Sequence, residues 1–257
     1  MDSNHLNHLL QFIGFFSPIL CAADSPSFFQ FSTINALLQG ICDGELTIGE
    51  LLQKGQIGSG TFDALNGEMV IIDNRCFRIT DRGTAEEVAR DETTSFAAVA
   101  SFPPTEGVAL DSIGSFEDLK SALDQFITSP NLVHVFHLTG TFQTIRARSV
   151  SKQSKPYPLI TEVTAQQAVF QYSNVSGDLV GFWCPSFFDS LNIPGFHFHF
   201  IDRDRKLGGH LLDCSFQKAN VIFTPCYQVS VQFPRNQEFA RVDLSGDKEK
   251  EIQQIEK

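Results

Sequence analysis

Two histidines separated by one phenylalanine, in GFHFHFIDRDRKLGGH at residues 195–210, are the residues of this chain best placed to do chemistry. Side chains of a β-strand alternate faces with a period of two. His197 and His199 therefore leave one face, while Phe196, Phe198 and Phe200 leave the other, toward a core. Pro194-Gly195 marks the start of the strand, DRDRK at 202–206 reads as a polar turn, and GGHLLDC returns. A turn centred between Asp204 and Arg205 sets position 199 opposite position 210, which brings His210 onto the same face. Cross-strand neighbours lie about 4.5–5.5 Å apart, near enough for three imidazoles to share one metal ion. Three neutral histidines with an open position are the ligand pattern of catalytic zinc. Nickel, iron(II) and manganese also suit the donor type. The plainer alternative is a hydrogen-bonded polar cluster. His134 and His137 differ in phase and read as structural; His5 and His8 lie near the amino terminus.

Charged groups elsewhere could join this centre. Glu68 follows the Asn66-Gly67 turn and shares a strand face with Val70 and Ile72. On an inward face its carboxyl would hold a proton to higher pH than usual; at a strand end it would simply be exposed. Arg146 and Arg148 share one face of TIRARSV, and either could bind a carboxylate or oxyanion in bidentate fashion. The HxH pattern by itself names no reaction, since cupin-like barrels and carbonic anhydrases carry it too. Another zinc lyase or hydratase, a cupin-type iron oxygenase and a non-catalytic metal- or small-molecule-binding module are the competing readings.

The elements that must position these groups follow from periodicity and turn signals. Ser32 is placed to cap a short helix over TINALLQGIC, and Thr47 and Glu50 have capping-box spacing for a second. EMVIID and CFRIT read as strands joined at Asp73-Asn74, DRG at 81–83 as a turn, and SFAAVASF as a strand stopped by Pro103-Pro104. Phe116, Leu119, Leu123 and Phe126 fall at helical spacing behind Ser115. From Leu132 onward short strands dominate, including LVHVFHLTGTF, TIRARSV, KPYPLITEV, AVFQYSNV, GDLVGFW, GFHFHFI, HLLDC and NVIFTP. That succession suggests a barrel or folded sheet. DLSGDKEKEIQQIEK closes the chain as a short helix or mobile tail.

The composition bounds the function classes. The chain has 257 residues, 42% of them hydrophobic, with 25 phenylalanines, so a large aromatic core is expected. A net charge of −11 argues against nucleic acid as a partner. The six cysteines form no CxxC pair and no disulfide framework. No stretch reaches the length of a membrane span. Residues 9–23 form an apolar run ending in Cys21-Ala22-Ala23, either a cleaved signal segment or a segment packed on the fold. The expected compartment is cytoplasmic, or secreted if residues 1–23 are removed.

With these pieces in place the chain resembles the acetolactate decarboxylases. STINALLQGICDG, GTFDALNGEM and DNRCFRI carry the resemblance in the first half; ARSV, KPYPLITEV, GDLVGFWCPSF and GFHFHFIDRDRKLGGHLLD carry it in the second. It runs from about Phe29 to the end. It implies an α/β (α+β) fold in two domains, a mixed-sheet domain at 29–150 and a mostly antiparallel, barrel-like domain at 151–257, with residues 1–28 as an extension and the site between the domains. It implies zinc on His197, His199 and His210. The family's carboxylate falls on Glu68, its arginine on Arg148 rather than Arg146, and its threonine, a substrate contact, on Thr61. A tail glutamate falls on Glu256, with Glu251 as the fallback. The implied reaction is decarboxylation of 2-acetolactate to acetoin and CO₂ through a metal-stabilised enediolate. No organic cofactor is needed, because the substrate's own ketone is the electron sink. The implied partner is that small molecule; a homodimer is left open.

Overall fold

The computed structural model describes residues 25–101 and 106–256. The apolar run of 9–23 and the Pro103-Pro104 stop lie outside the described residues. Strand β1 (Ser27–Phe31) enters helix α1 (Ile34–Leu38). The cap shifts by one from the expected position: Ser32 takes φ of 67°, and Thr33 Oγ1 accepts the Ala36 N–H at 3.0 Å. Strand β2 (Leu46–Thr47) leads to helix α2 (Ile48–Leu51), opened by the reciprocal Thr47–Glu50 capping box. Strands β3 (Ile57–Thr61), β4 (Glu68–Ile72) and β5 (Arg75–Ile79) form an antiparallel meander. Asp73 and Asn74 both take positive φ in the tight β4–β5 turn. Gly67, with φ of 86°, ends the longer β3–β4 connection; a Cβ there would meet the Ile79 carbonyl oxygen at 2.5 Å. Strands β6 (Ala85–Glu87), β7 (Thr93–Thr94) and β8 (Phe96–Ser101) follow.

The second half is built on long strands. Strand β9 (Val108–Ile113) precedes helix α3 (Phe116–Leu123), whose Ser115 cap accepts the Asp118 N–H at 3.1 Å. Strand β10 (Val133–Ser149) joins in one element what reads as two in the sequence. Helix α4 (Ile160–Thr164) replaces the strand expected over KPYPLITEV. Pro156 and Pro158 withhold backbone donors there, and burial of Ile160, Val163 and Thr164 follows a helical rather than an alternating period. Strands β11 (Ala168–Cys184), β12 (Gly195–Asp202) and β13 (Gly208–Cys226) complete a ring with β10, because β10 pairs with both β11 and β13. Strand β14 (Gln228–Gln232) then leaves the barrel, before helices α5 (Gln237–Arg241) and α6 (Glu249–Ile255).

Seven strands, in the order β14-β1-β8-β3-β4-β5-β6, make the first sheet, and β10-β11-β12-β13-β9 make the second. Sheet membership therefore does not change at residue 150: β9 and β10 belong with the barrel, and β14 pairs in parallel with β1. The first sheet is buried on both faces. Val70, Ile72, Phe77 and Ile79 pack against Val135, Val180, Phe182 and Ile201 of the barrel. Met69 and Ile71 turn the other way, onto Ile48, Leu51 and Phe62. The barrel interior is aromatic, with Phe142 edge-on to Phe200 and to Phe216 at 5.6 Å each. A third layer caps one end, where α1, α4 and α6 bring Ile34, Leu37, Val163, Ile252 and Ile255 into one cluster. The five cysteines among the described residues are free and buried. Among the described residues no helix is long and apolar enough to cross a membrane.

A backbone clamp ties the two sheets together beside the HxH hairpin. Ala85 N–H donates to the Lys206 carbonyl at 2.7 Å and Gly208 N–H to the Gly83 carbonyl at 3.1 Å. The Tyr172 hydroxyl lies 3.1 and 3.0 Å from the Gly83 and Gly208 carbonyls. Gly209 lets β13 approach β10, since a Cβ there would meet the Arg148 carbonyl oxygen at 2.7 Å.

Candidate metal centre and active site

The period of two puts His197 and His199 on the face of β12 turned to the first sheet, while Phe198 and Phe200 fill the barrel. His210 is the direct cross-strand partner of His199, as the turn geometry requires. The three imidazoles offer ligand atoms that all lie within 4.8 Å of one another. His197 Nε2 and His199 Nε2 are 3.1 Å apart.

Second partners fix the tautomers. His199 Nδ1 donates to the Met69 carbonyl at 2.8 Å, and His197 Nδ1 donates to Glu256 Oε2 at 3.1 Å. A carbonyl or carboxylate oxygen only accepts, so both protons sit on Nδ1. The two Nε2 lone pairs then face each other at 3.1 Å, an arrangement that is repulsive unless a cation lies between them. A tetrahedral zinc at about 2.0–2.1 Å from each nitrogen sets paired nitrogens roughly 3.3 Å apart. Burial, reinforced by the nearby positive charge of Arg148, pushes His199 and His210 well below the usual imidazole range. They stand neutral, as metal ligands must. His210 Nδ1 is buried without a hydrogen-bond partner. The donor set therefore fits a divalent cation.

Charged groups surround the imidazoles. Glu68, at the start of β4 and on the face of Val70 and Ile72, is 7% exposed. Its Oε1 accepts from Arg148 Nη1 at 2.7 Å, and its Oε2 lies 3.6 Å from His199 Nε2. Burial raises the Glu68 carboxyl above its ordinary range and outweighs the opposing pull of Arg148. Arg148 is buried, donates Nη2 to the Ile255 carbonyl at 3.0 Å, and leaves Nε–H without a partner. Arg146, two residues earlier, is exposed. A register shift against β13 between Arg146 and Ala147 separates their surroundings.

At the chain's end Glu256 Oε2 reaches within 3.8 Å of His210 Nε2, and its Oε1 is buried and unpartnered. Glu251 pairs with Lys248 instead, at 3.2 Å. Thr61 Oγ1 donates to the Gly67 carbonyl at 2.8 Å.

Seven of these side chains line one cavity, walled by Ile34, Leu37, Leu65, Phe96, Val150, Ile160 and Ile193. Thr61, Glu68, Arg148, the three histidines and Glu256 are thus brought together, and Arg146 and Glu251 are left out. Two parts of the site carry no side-chain signal in the sequence, the Met69 and Ile255 carbonyls. The apolar wall carries no distinguishing signal either, because its hydrophobic segments look like ordinary core.

Comparison with known proteins follows this geometry. Residues 28–246 match the sequence pattern of the alpha-acetolactate decarboxylase family. The alpha-acetolactate decarboxylase of Brevibacillus brevis is 37% identical over 93% of this chain and 85% of its own length. That of Methanosarcina mazei is 36% identical over 89% of this chain and 80% of its own length. The crystal structure of alpha-acetolactate decarboxylase from Bacillus subtilis superposes with a TM-score of 0.86 at 29% identity, covering 90% of this chain and 99% of that one.

Proposed function

Because the chain belongs to the alpha-acetolactate decarboxylase family, we propose that it converts 2-acetolactate to acetoin and CO₂ with zinc held by His197, His199 and His210. The observation that carries this reading is the single cavity in which three histidines meet two carboxylates and a buried arginine. In the substrate a ketone adjoins the carbon that bears the hydroxyl and the carboxylate. When the bond to the carboxylate carbon breaks, its electron pair moves toward the ketone and leaves an enediolate. One proton then completes acetoin. Zinc, when bound, would supply the Lewis-acid charge that steadies the developing oxyanion.

The chain's own groups do the rest. Arg148 keeps its Nε–H uncommitted and offers it to a carboxylate or enediolate oxygen. Glu68, raised by burial, holds a proton to higher pH than an ordinary carboxyl and can pass it to carbon or oxygen. Glu256, held to His197 through Oε2, offers its free Oε1. Thr61 has spent its proton on the Gly67 carbonyl, so it meets substrate as an acceptor, suited to the tertiary hydroxyl. The aliphatic wall receives the two methyl groups and keeps bulk water from protonating the enediolate first. For the assembly we propose a homodimer. Strand β14 is an edge of its sheet, so its free backbone groups offer a surface on which a second copy would pair about a two-fold axis.

One assay tests the reading. Purified protein with zinc quantified in the same sample should release acetoin from 2-acetolactate. A zinc-loaded protein that releases none would overturn it.

A further inference from the structure

Among the residues lining the cavity, only His197 and Glu256 are not buried. Beyond Glu256 lies an open groove formed by Phe116, Arg146, Trp183 and Phe196; Glu256 and the buried Ile193 line both spaces, and of the two only Glu256 is part-exposed. The last turn of the chain is therefore the partition between site and solvent.

Few contacts hold that partition. Ile252 and Ile255 are 6% and 3% exposed against the apolar cap. The Ile255 carbonyl accepts from Arg148 Nη2 at 3.0 Å, and Glu256 Oε2 accepts from His197 Nδ1 at 3.1 Å. Helix α6 has no side-chain N-cap, and its Lys248–Glu251 and Gln253–Glu249 bonds stay within the segment. One guanidinium thus seats both carboxylates: Arg148 binds Glu68 directly and fixes Glu256 through the carbonyl before it.

We propose that Ile255 is the positioning residue of this site, seating Glu256 against His197 and closing the cavity, and that release of this last turn opens the path for substrate and product. The proposal rests on the reading of Glu256 as a group of the decarboxylation site.

The test combines steady-state kinetics with amide hydrogen exchange on the zinc-loaded, full-length chain. The variants are Ile255→Asp, Ile255→Leu, Glu256→Gln and the double variant Ile255→Asp/Glu256→Gln. Ile255→Asp and Glu256→Gln should each lower kcat by about 100-fold with zinc retained. The double variant should fall no further than the worse single one, because both changes remove the same group. Exchange should quicken over residues 249–256 in Ile255→Asp and nowhere else, and Ile255→Leu should recover kcat to within about threefold.

Losses that multiply in the double variant, or a kcat kept by Ile255→Asp, would overturn the proposal. If exchange in Ile255→Asp quickens along the whole chain, Ile255→Ala and its double with Glu256→Gln decide by the same criterion. A wild type that yields no acetoin sinks the acetolactate reading; exchange over 249–256 then still decides the docking.

Discussion

The barrel carries two clusters that a list of residue types would not tell apart. One gathers His197, His199 and His210 with Glu68, Glu256 and Arg148. The other gathers His137, Asp178 and Arg205 one step away, with Asp178 across from Ile201, two residues beyond His199. In the second cluster His137 Nε2 meets Asp178 Oδ1 at 2.8 Å, Thr139 donates to that oxygen at 3.0 Å, and Arg205 takes Oδ2 at 2.7 Å. Arg205 also reaches the Asp202 carbonyl at 3.2 Å and Asp73 at 3.4 Å. In the first cluster His210 Nδ1, Arg148 Nε and Glu256 Oε1 are buried with no partner. The carboxyls diverge accordingly. Burial pushes both upward, but bonds from His137 and Arg205 to both oxygens carry Asp178 below its ordinary range, whereas burial prevails at Glu68. A satisfied network is finished structure; unspent donors and acceptors around a cavity are capacity for a ligand.

The comparison breaks if the two clusters respond alike to substitution. The largest contrast is expected between His199→Ala and His137→Ala. The first should lose bound zinc and at least about 10³-fold of acetoin formation; the second should keep both, as metal analysis and turnover on one preparation will read. Next, Glu68→Gln should retain zinc while kcat drops by about 10²–10⁴-fold. Because the Glu68 value is raised, the protonated form persists above the ordinary carboxyl range and is lost as pH climbs through the raised value. The wild-type rate should fall on that limb, and the pH profile of the variant's residual rate should lack it.

Asp178→Asn should leave kcat within about twofold but cost about 1–3 kcal/mol of stability at neutral pH. The folded-state value is depressed there, so the stabilisation is present above the ordinary carboxylate pKa and disappears as pH falls through the folded one. Urea denaturation of wild type and variant should converge toward acid pH. The smallest effect sits between the clusters in kind: Thr61→Val should cost about 1 kcal/mol by freeing the Gly67 carbonyl and raise KM by about twofold to fivefold. A variant with unchanged KM and the stability loss alone would move Thr61 into the structural class.

The first cluster was legible in the sequence to the extent that strand alternation governs it. The period of two, with one polar turn, sets His197, His199 and His210 on one face, and the β12–β13 register agrees. Glu68 was legible as to face, through Val70 and Ile72, but not as to burial, because that face is covered by barrel strands distant in sequence. Arg148 and Arg146 look equivalent from alternation; a bulge between strands separates them, and bulges leave no residue signature. Glu256 was read only through family resemblance, since a charged terminus resembles any solvated tail. The errors have local causes. The Ser32 cap gave way to Thr33 because Ser32 takes a left-handed turn. The β-branched residues of PLITEV suggested a strand where two prolines and a buried helical face make a short helix. His137 reads as structural on phase alone, and its hydrogen bond with Asp178 gives that reading a physical content.

The bond from His199 to the Met69 carbonyl has an evolutionary consequence. The Met69 side chain points away from the imidazoles, into the opposite hydrophobic layer. Drift at that position can change the side chain freely, within what the core tolerates, without touching the histidine. A one-residue slip of β4, by contrast, would carry Glu68 to the wrong face and withdraw the carbonyl at the same stroke. The centre is robust to point mutation at this position and intolerant of misregistration.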